Sequence, residues 1–195
     1  MVAAVDTRPV GPDDVGVLAA LFDTQRSTRN CWCMAFCATR GQFAAGWLTG
    51  GNRRRFWGLA EDSPVPMGVL ATRAGEPVGW GACGPRSRYA SALASSGSVL
   101  AGRARAEDET VWLLPCLFVR IEHRGQGVSH ALVSAAVELA RREGALAIEG
   151  WPLASTARGG ADAFLGWEQV FAELGFHRAH RPTPDRVIMR RDLTA

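Results

Sequence analysis

The sequence contains no lysine; all 22 of its basic residues are arginine, so the chain has no side-chain ε-amine of its own to modify. It has a single tyrosine, Tyr89. No stretch approaches the ~18–20 apolar residues that a membrane helix needs, so a membrane partner is not expected. The opening residues, MVAAVDTRPV, lack the basic start and apolar core of a signal peptide, and the expected location is the cytoplasm. Strong charge bias is missing too. The 22 basic and 19 acidic residues leave a net charge of +3 over 195 residues, too little for the electrostatic footprint of a nucleic-acid binder. There is no internal repeat and no low-complexity tract.

What is present is apolar material. Hydrophobic residues make up 47% and charged residues 21% of the chain, which suffices for a packed core and excludes wholesale disorder. The length fits one domain over 1–195. The five cysteines are Cys31, Cys33, Cys37, Cys83 and Cys116. An odd number without a signal peptide argues against a disulfide framework. Cys31-x-Cys33-x3-Cys37 offers three thiolates to a zinc ion. No histidine lies near them in sequence, and Cys83 and Cys116 fall in hairpin and buried-strand positions. Buried free thiols without a metal are the expectation.

Residues 3–10 read as a strand. Pro12, Asp13 and Asp14 then offer a helix start, with Val15, Leu18, Ala19 and Phe22 as an apolar stripe. Residues 24–37 carry no clear pattern, and two further helices are expected near 40–48 and 52–61. MGVLATR, AGE and PVGWGACG read as strand, turn and returning strand from residue 67 to 84. Residues 85–108 read as one long loop without a period. VWLLPCLFV (111–119) is apolar without alternation, as in a strand buried on both faces. Pro115 cannot donate to a ladder, which predicts a backbone bulge there.

A helix follows with Val128, Leu132, Ala135 and Leu139 on one side and His130, Glu138, Arg141 and Arg142 on another, stopped by Gly144. ALAIEGWP (145–152) reads as a strand. A second amphipathic helix is expected over 161–174, ended by Gly175. A terminal strand pair is expected over 176–182 and 186–191, with Pro182 and Pro184 in its turn. The order predicts an α/β (α+β) sheet with helices on both faces.

The most informative stretch is Arg124-Gly125-Gln126-Gly127-Val128-Ser129, between a buried strand and an amphipathic helix. The first turn of a helix has unpaired N–H groups and a partial positive charge. Glycines let the backbone approach a bulky anion, and Arg124 adds charge, so a phosphate or pyrophosphate site is the physical expectation. A mere tight turn is the alternative. Neither GxxxxGK[ST] nor GxGxxG fits these residues.

Arg124-x-x-Gly127-x-Ser129 resembles the acetyl-CoA loop of the GNAT superfamily of N-acetyltransferases, (Q/R)xxGx(G/A), with Ser129 as a departure at the last position. The strand 111–119, the helix at 128–143, the strand 145–152 and VFAELGF (170–176) follow in the order of that superfamily. A bacterial subgroup is closer still, through CWCM (31–34), Val78-Gly79-Trp80, Pro85-Arg86 with Tyr89, Glu149-Gly150-Trp151-Pro152 and Met189-Arg190-Arg191.

The resemblance implies a mixed, mostly antiparallel twisted sheet whose fourth and fifth strands splay apart. It implies acetyl-CoA as co-substrate, an amine of a small molecule, protein or peptide as acceptor, and no metal. Cofactor contacts would fall on Leu117, Phe118 and Val119 of the fourth strand and on Arg124, Gly125, Gln126, Gly127, Val128 and Ser129 of the loop. Residues 1–62 would supply the acceptor-side strand and helices, and 66–195 the hairpin, cofactor core and terminal strands.

Transfer in the family is direct: a neutral amine attacks the thioester and a backbone amide of the fourth strand stabilises the oxyanion. Glu149 is the expected base, with Glu107 and Glu109 as competitors. The tyrosine that many members use to protonate the leaving sulfur is matched here by Phe171, and an asparagine earlier in that helix by Phe164. Either the thiolate leaves unassisted, which a pKa near ~8.5 permits, or Tyr89, Cys116 or a water supplies the proton. Trp32, Met34 and Arg86 are candidate acceptor contacts, although core packing also explains the aromatic residues around them. Arg53-Arg54-Arg55 is expected to be a solvated helix face. Members often dimerise, so a homodimer fits, and a non-catalytic acyl-CoA-binding module on the same fold is the second reading.

Overall fold

A computed structural model describes residues 4–94, 100, 102–154 and 164–193. Its frame is a seven-stranded sheet in the order β1-β2-β3-β4-β5-β7-β6. The strands are β1 (Val5–Val10), β2 (Gly68–Arg73), β3 (Glu76–Pro85), β4 (Val111–Val119), β5 (Ala147–Gly150), β6 (His177–Thr183) and β7 (Arg186–Asp192). Every neighbouring pair is antiparallel except β4 and β5, which run parallel. The helices are α1 (Val15–Asp23), α2 (Arg26–Arg29), α3 (Arg40–Thr49), α4 (Gly51–Asp62), α5 (Ala90–Ala94), α6 (Val128–Arg142) and α7 (Glu168–Glu173). Among the described residues no helix is long and apolar enough to cross a membrane.

The pleat sends alternate side chains to two cores. Val69, Ala71, Leu117 and Val119 face α6, whose Val128, Leu132 and Val133 cover them. Leu70, Trp80, Cys116 and Phe118 face the other way, onto Leu18 and Phe22 of α1 and Phe56 of α4. The apolar stripes expected on α1 and α6 are therefore the faces that pack. The β2–β3 hairpin turns through Ala74 and Gly75, both with positive φ (49° and 83°), the geometry that matches strand twist in a tight hairpin. Thr39 caps α3 by accepting from the Gln42 amide.

The bulge at Pro115 is present. Ala82 pairs with Cys116 and Gly84 with Leu113, so β4 carries one more residue than β3 across this interval.

Three expectations need correction. The helix expected over 161–174 is only α7, Glu168–Glu173. Gly166 takes φ 76°, a left-handed conformation that interrupts a helix, and Trp167 forms an isolated bridge to Leu153; residues 161–163 lie outside the described residues. Pro182 is inside β6 rather than in the turn, which an edge strand tolerates because it has no partner on its outer side. The long loop over 85–108 contains α5 and two single helical turns at Arg86–Arg88 and Arg105–Glu107, while 95–99 and 101 lie outside the described residues.

Candidate active site

The site begins where two strands part. Pairing of β4 with β5 ends at Leu114↔Gly150, and Pro115 next to it has no N–H to give. The Trp151 indole N–H donates to the Pro115 carbonyl at 3.1 Å, closing the fork. Beyond the bulge β4 still pairs with β3, and the Arg120 amide donates to the Val78 carbonyl at 3.0 Å. In an antiparallel ladder, hydrogen-bonding direction alternates residue by residue. Counting back from Arg120, Phe118 and Cys116 turn their backbone groups to β3, while Leu117 and Val119 turn theirs to the open side. Of the strand residues expected at the cofactor, Leu117 and Val119 line the cleft. Phe118 does not: its backbone serves β3 and its ring is buried among the N-terminal helices.

The loop that follows stands at one end of this open edge. Gly125 and Gly127 adopt φ 69° and 81°, a region that β-carbon-bearing residues rarely enter. The amides of Gly125, Gln126 and Gly127 donate to no group among the described residues, and no side chain caps the first turn of α6. A row of free N–H groups at the positive end of a helix favours an anion. Arg124 bends back so that its Nε–H donates to the Val119 carbonyl at 3.3 Å, which holds the guanidinium beside the strand edge. The cleft has a volume of ≈ 650 Å³ and is lined by Leu117, Val119, Arg124, Gly125, Gly127, Val128 and Ser129, with His123, His130, Ala131, Phe164, Trp167, Val170 and Glu173 completing it. It offers anion-binding amides at one end and, apart from the Val119 carbonyl that Arg124 holds, an unpaired strand edge. That combination suits an extended, amide-bearing ligand with a phosphorylated end.

Gln126 is exposed and plays a different part. Its Nε2 donates to the Glu122 carbonyl at 2.8 Å, and its Oε1 and backbone carbonyl accept from Arg73 of β2, the latter at 3.2 Å. Arg73 thus latches the loop from another strand, 53 positions earlier in the chain. No sequence signal could have connected the two. Trp167, Val170 and Glu173 were missed for a related reason, since the packing of α7 and the residue before it beside the cleft depends on contacts with distant strands.

Glu149 sits on β5 opposite Leu113, one step before the fork. It is buried, and each of its oxygens accepts from a guanidinium: Arg86 at 3.2 Å and Arg190 at 3.1 Å. Glu107 bridges the same two arginines at 3.2 and 3.1 Å, and Asp108 approaches Arg86 at 3.4 Å. Partial burial works against the Arg190 charge, but hydrogen bonds to Asp192, Glu107 and Glu149 outweigh it and hold the guanidinium charged even more firmly than usual. Glu109 lies apart, on the surface, accepting from the Ser87 hydroxyl at 2.8 Å. A smaller cavity of ≈ 340 Å³ opens beside Arg86, Glu107, Glu149 and Arg190, separate from the cleft. Arg86, expected at the acceptor, is the buried hub of this ion cluster.

Tyr89 is buried with Leu113, Trp151 and Ile188 on the sheet face away from α6, and it does not line the cleft. Its hydroxyl has no hydrogen-bond partner among the described residues, and burial pushes its pKa up. Phe171 is fully buried, with its ring edge-on to Phe176 and pressed against Gly150. Trp32 and Met34 also pack rather than open onto the cleft. The Trp32 ring meets Phe22 at 5.0 Å, its N–H donates to the Arg29 carbonyl at 2.9 Å, and Arg53 lies over it at 5.5 Å. Among the described residues no group of three or more potential ligands could hold a metal.

The profile of the Acetyltransferase (GNAT) family matches residues 31–157, and the protein belongs to that family. An acetyltransferase from Thermus thermophilus superposes with a TM-score of 0.55 at 21% identity, covering 99% of this chain and 100% of the other. A putative acetyltransferase from Salmonella typhimurium, yncA, whose structure includes its cofactor acetyl-CoA, gives 0.58 at 13% identity, covering 99% and 96%. The PaiA N-acetyltransferase from Thermoplasma acidophilum in complex with coenzyme A gives 0.55 at 10% identity, covering 97% and 99%. At these identities the likeness is one of fold. No curated protein matches the chain.

Proposed function

We propose that this protein is an N-acetyltransferase that takes its acetyl group from acetyl-CoA and delivers it directly to an amine of a small molecule, protein or peptide. The observation that carries the reading is the joint orientation of two free backbone surfaces: the loop amides at Gly125–Gly127 and the open edge of β4 at Leu117 and Val119 meet in one cleft. Acetyl-CoA supplies an activated thioester at the end of a long amide-bearing arm. The loop amides and Arg124 receive its pyrophosphate, with Val128 and Ser129 lining the approach. Leu117 and Val119 pair with the arm, as an added strand would.

The first amide past the bulge that faces the open side is Leu117 N–H, since Pro115 has none and Cys116 serves β3. Leu117 N–H is therefore the donor placed to stabilise an oxyanion. Glu149, next to the fork, is proposed as the base that takes the amine's proton, directly or through water. Arg190 is the more exposed of its two partners and is the one an acceptor can displace. Phe171 supplies no proton, and Tyr89 is too enclosed to do so. A leaving thiolate, whose conjugate acid has a pKa near ~8.5, departs without an acid.

An amine panel scored by release of free CoA thiol tests the proposal. Release that depends on one class of amine supports it. Tight acetyl-CoA binding with no release above hydrolysis, for any amine, supports instead a non-catalytic acyl-CoA-binding module, a reading that the apolar Phe171 favours.

A further inference from the structure

Arg86, Glu149, Arg190 and Glu107 form a closed ring in which each carboxylate meets both guanidiniums, at 3.1 to 3.2 Å. Two positive and two negative groups leave the ring neutral. Arg86 and Glu149 are buried, while Arg190 and Glu107 keep 22% and 39% of their side chains exposed. All four line the cavity of ≈ 340 Å³. Buried ion pairs add little to stability that apolar packing could not supply, so a cavity kept open against such a ring points to a ligand.

The ring is not saturated. Glu107 accepts through Oε2 alone, from both arginines, and its Oε1 accepts no hydrogen bond among the described residues. Arg190 gives Nη1 to Glu107 and Glu149 and Nε to Asp192, and its Nη2 donates to nothing among the described residues. One anionic oxygen and one cationic N–H₂ group are therefore free, on two side chains that touch each other and line the same cavity.

We propose that this cavity binds a small amino acid in its zwitterionic form, its ammonium against Glu107 and Glu149 and its carboxylate on Arg190.

Charge balance selects the ligand. An ammonium alone leaves the Arg190 Nη2 unanswered and adds a net charge beside buried Arg86 and Glu149; a carboxylate alone does the reverse. A ligand with both groups answers both and keeps the ring neutral. An ammonium inserted here takes the place of Arg190 on Glu149 and brings Arg190 a carboxylate in exchange. The free atoms belong to groups already in contact at 3.1 Å, so the two ligand charges must lie close together, as on an α-amino acid. The volume is near the lower end for small-molecule pockets, and buried Ile188 and Leu100 give it an apolar wall for an aliphatic side chain. Binding follows from the cavity alone. That the bound amino acid is the acceptor rests on the transferase reading, with Glu149 as base.

The test is isothermal titration calorimetry of the full-length protein without acetyl-CoA, at mildly acidic pH. The probes are L-leucine, L-leucinamide, which keeps only the cation, and 4-methylpentanoate, which keeps only the anion; L-alanine, L-valine and L-methionine extend the series. One charge-assisted contact is worth about tenfold or more in affinity, so the best-bound amino acid is expected to exceed both singly charged analogues by at least that factor. Arg190→Met removes the margin over leucinamide, and Glu107→Gln narrows the margin over 4-methylpentanoate, each variant being checked for folding by thermal melt. Equal affinity for leucine and either analogue, or no binding by any of the four amino acids, overturns the proposal, and the wild-type series decides even if the variants do not fold. Failure there leaves acetyl-CoA binding and transfer untouched. An amino acid that binds selectively yet releases no CoA thiol from acetyl-CoA upholds the site and overturns its acceptor role.

Discussion

Arg86 and Glu149 meet at 3.2 Å with their side chains only 1% and 7% exposed, the most deeply buried ion pair among the described residues. It couples the 85–108 segment to β5 at the point where the sheet forks. Taking one partner from a buried pair leaves an uncompensated charge, at about 3–5 kcal/mol. Glu149→Gln is therefore expected to lower the melting temperature sharply. Arg86→Met combined with Glu149→Leu should cost less than the sum of the single changes, and a double-mutant cycle in thermal melts measures this. If Glu149 is also the base, folded Glu149→Gln loses kcat by about 10²–10⁴ while its affinity for acetyl-CoA stays as it was.

Arg73→Ala removes the latch on the Gln126 carbonyl without touching the cleft lining. Loss of a charge-assisted bond costs about 1.5–3 kcal/mol at most, and part of this returns as loop disorder. The expected result is a KM for acetyl-CoA raised by roughly tenfold with kcat at saturation unchanged. Steady-state kinetics with varied acetyl-CoA checks this, and an equal fall in kcat would give Arg73 a role in the chemistry itself.

Phe171→Tyr places a hydroxyl where many family members carry one, yet it is not expected to restore an acid. The ring tip already lies against Gly150, where even a β-carbon would stand 2.8 Å from Cζ. The added oxygen is expected to destabilise the fold by about 1–3 kcal/mol through overpacking, read as a lower melting temperature, with no gain in turnover.

Arg8 and Asp14 pair at 2.6 Å at the start of the chain. The hydrogen bond from Arg8 holds the Asp14 carboxyl below its ordinary pKa, and the Gly11 amide adds to this. A carboxyl depressed in the folded state stabilises above its unfolded pKa and loses that contribution as pH falls through the folded value. Wild type should therefore be more stable than Asp14→Asn at neutral pH, with the gap closing below about pH 4. Denaturant unfolding at several pH values measures the gap.

Much of this architecture was legible from local chemistry. Pro115 announced the bulge because it cannot donate to a ladder, and Gly125 and Gly127 announced a loop whose backbone can approach an anion; their positive φ came only with the structure. The apolar stripes of α1 and α6 gave their buried faces. What stayed hidden depends on contacts between distant residues. Nothing near Glu149 says that Arg86 and Arg190 will close on it, and nothing near Gln126 points to Arg73. The alternation that turns Leu117 outward and Phe118 inward depends on the register with β3. Trp32 and Met34, named as acceptor contacts although core packing also explained them, are enclosed by the packing of α1 and α4. The extent of α7 was misjudged because Gly166, an ordinary helix interruption by composition, proved to be a left-handed break.

A thermal melt of the wild type and of Gly127→Glu, each with and without saturating acetyl-CoA, tests the central claim most directly. A ligand present at ~100 times its dissociation constant adds ~2.7 kcal/mol, a shift of roughly 5–10 °C for a chain of this size. The account predicts that shift in the wild type and none in Gly127→Glu, whose unliganded melt still shows a cooperative fold. No shift in the wild type, or an undiminished shift in Gly127→Glu, would contradict the placement of acetyl-CoA on the Gly125–Gly127 loop.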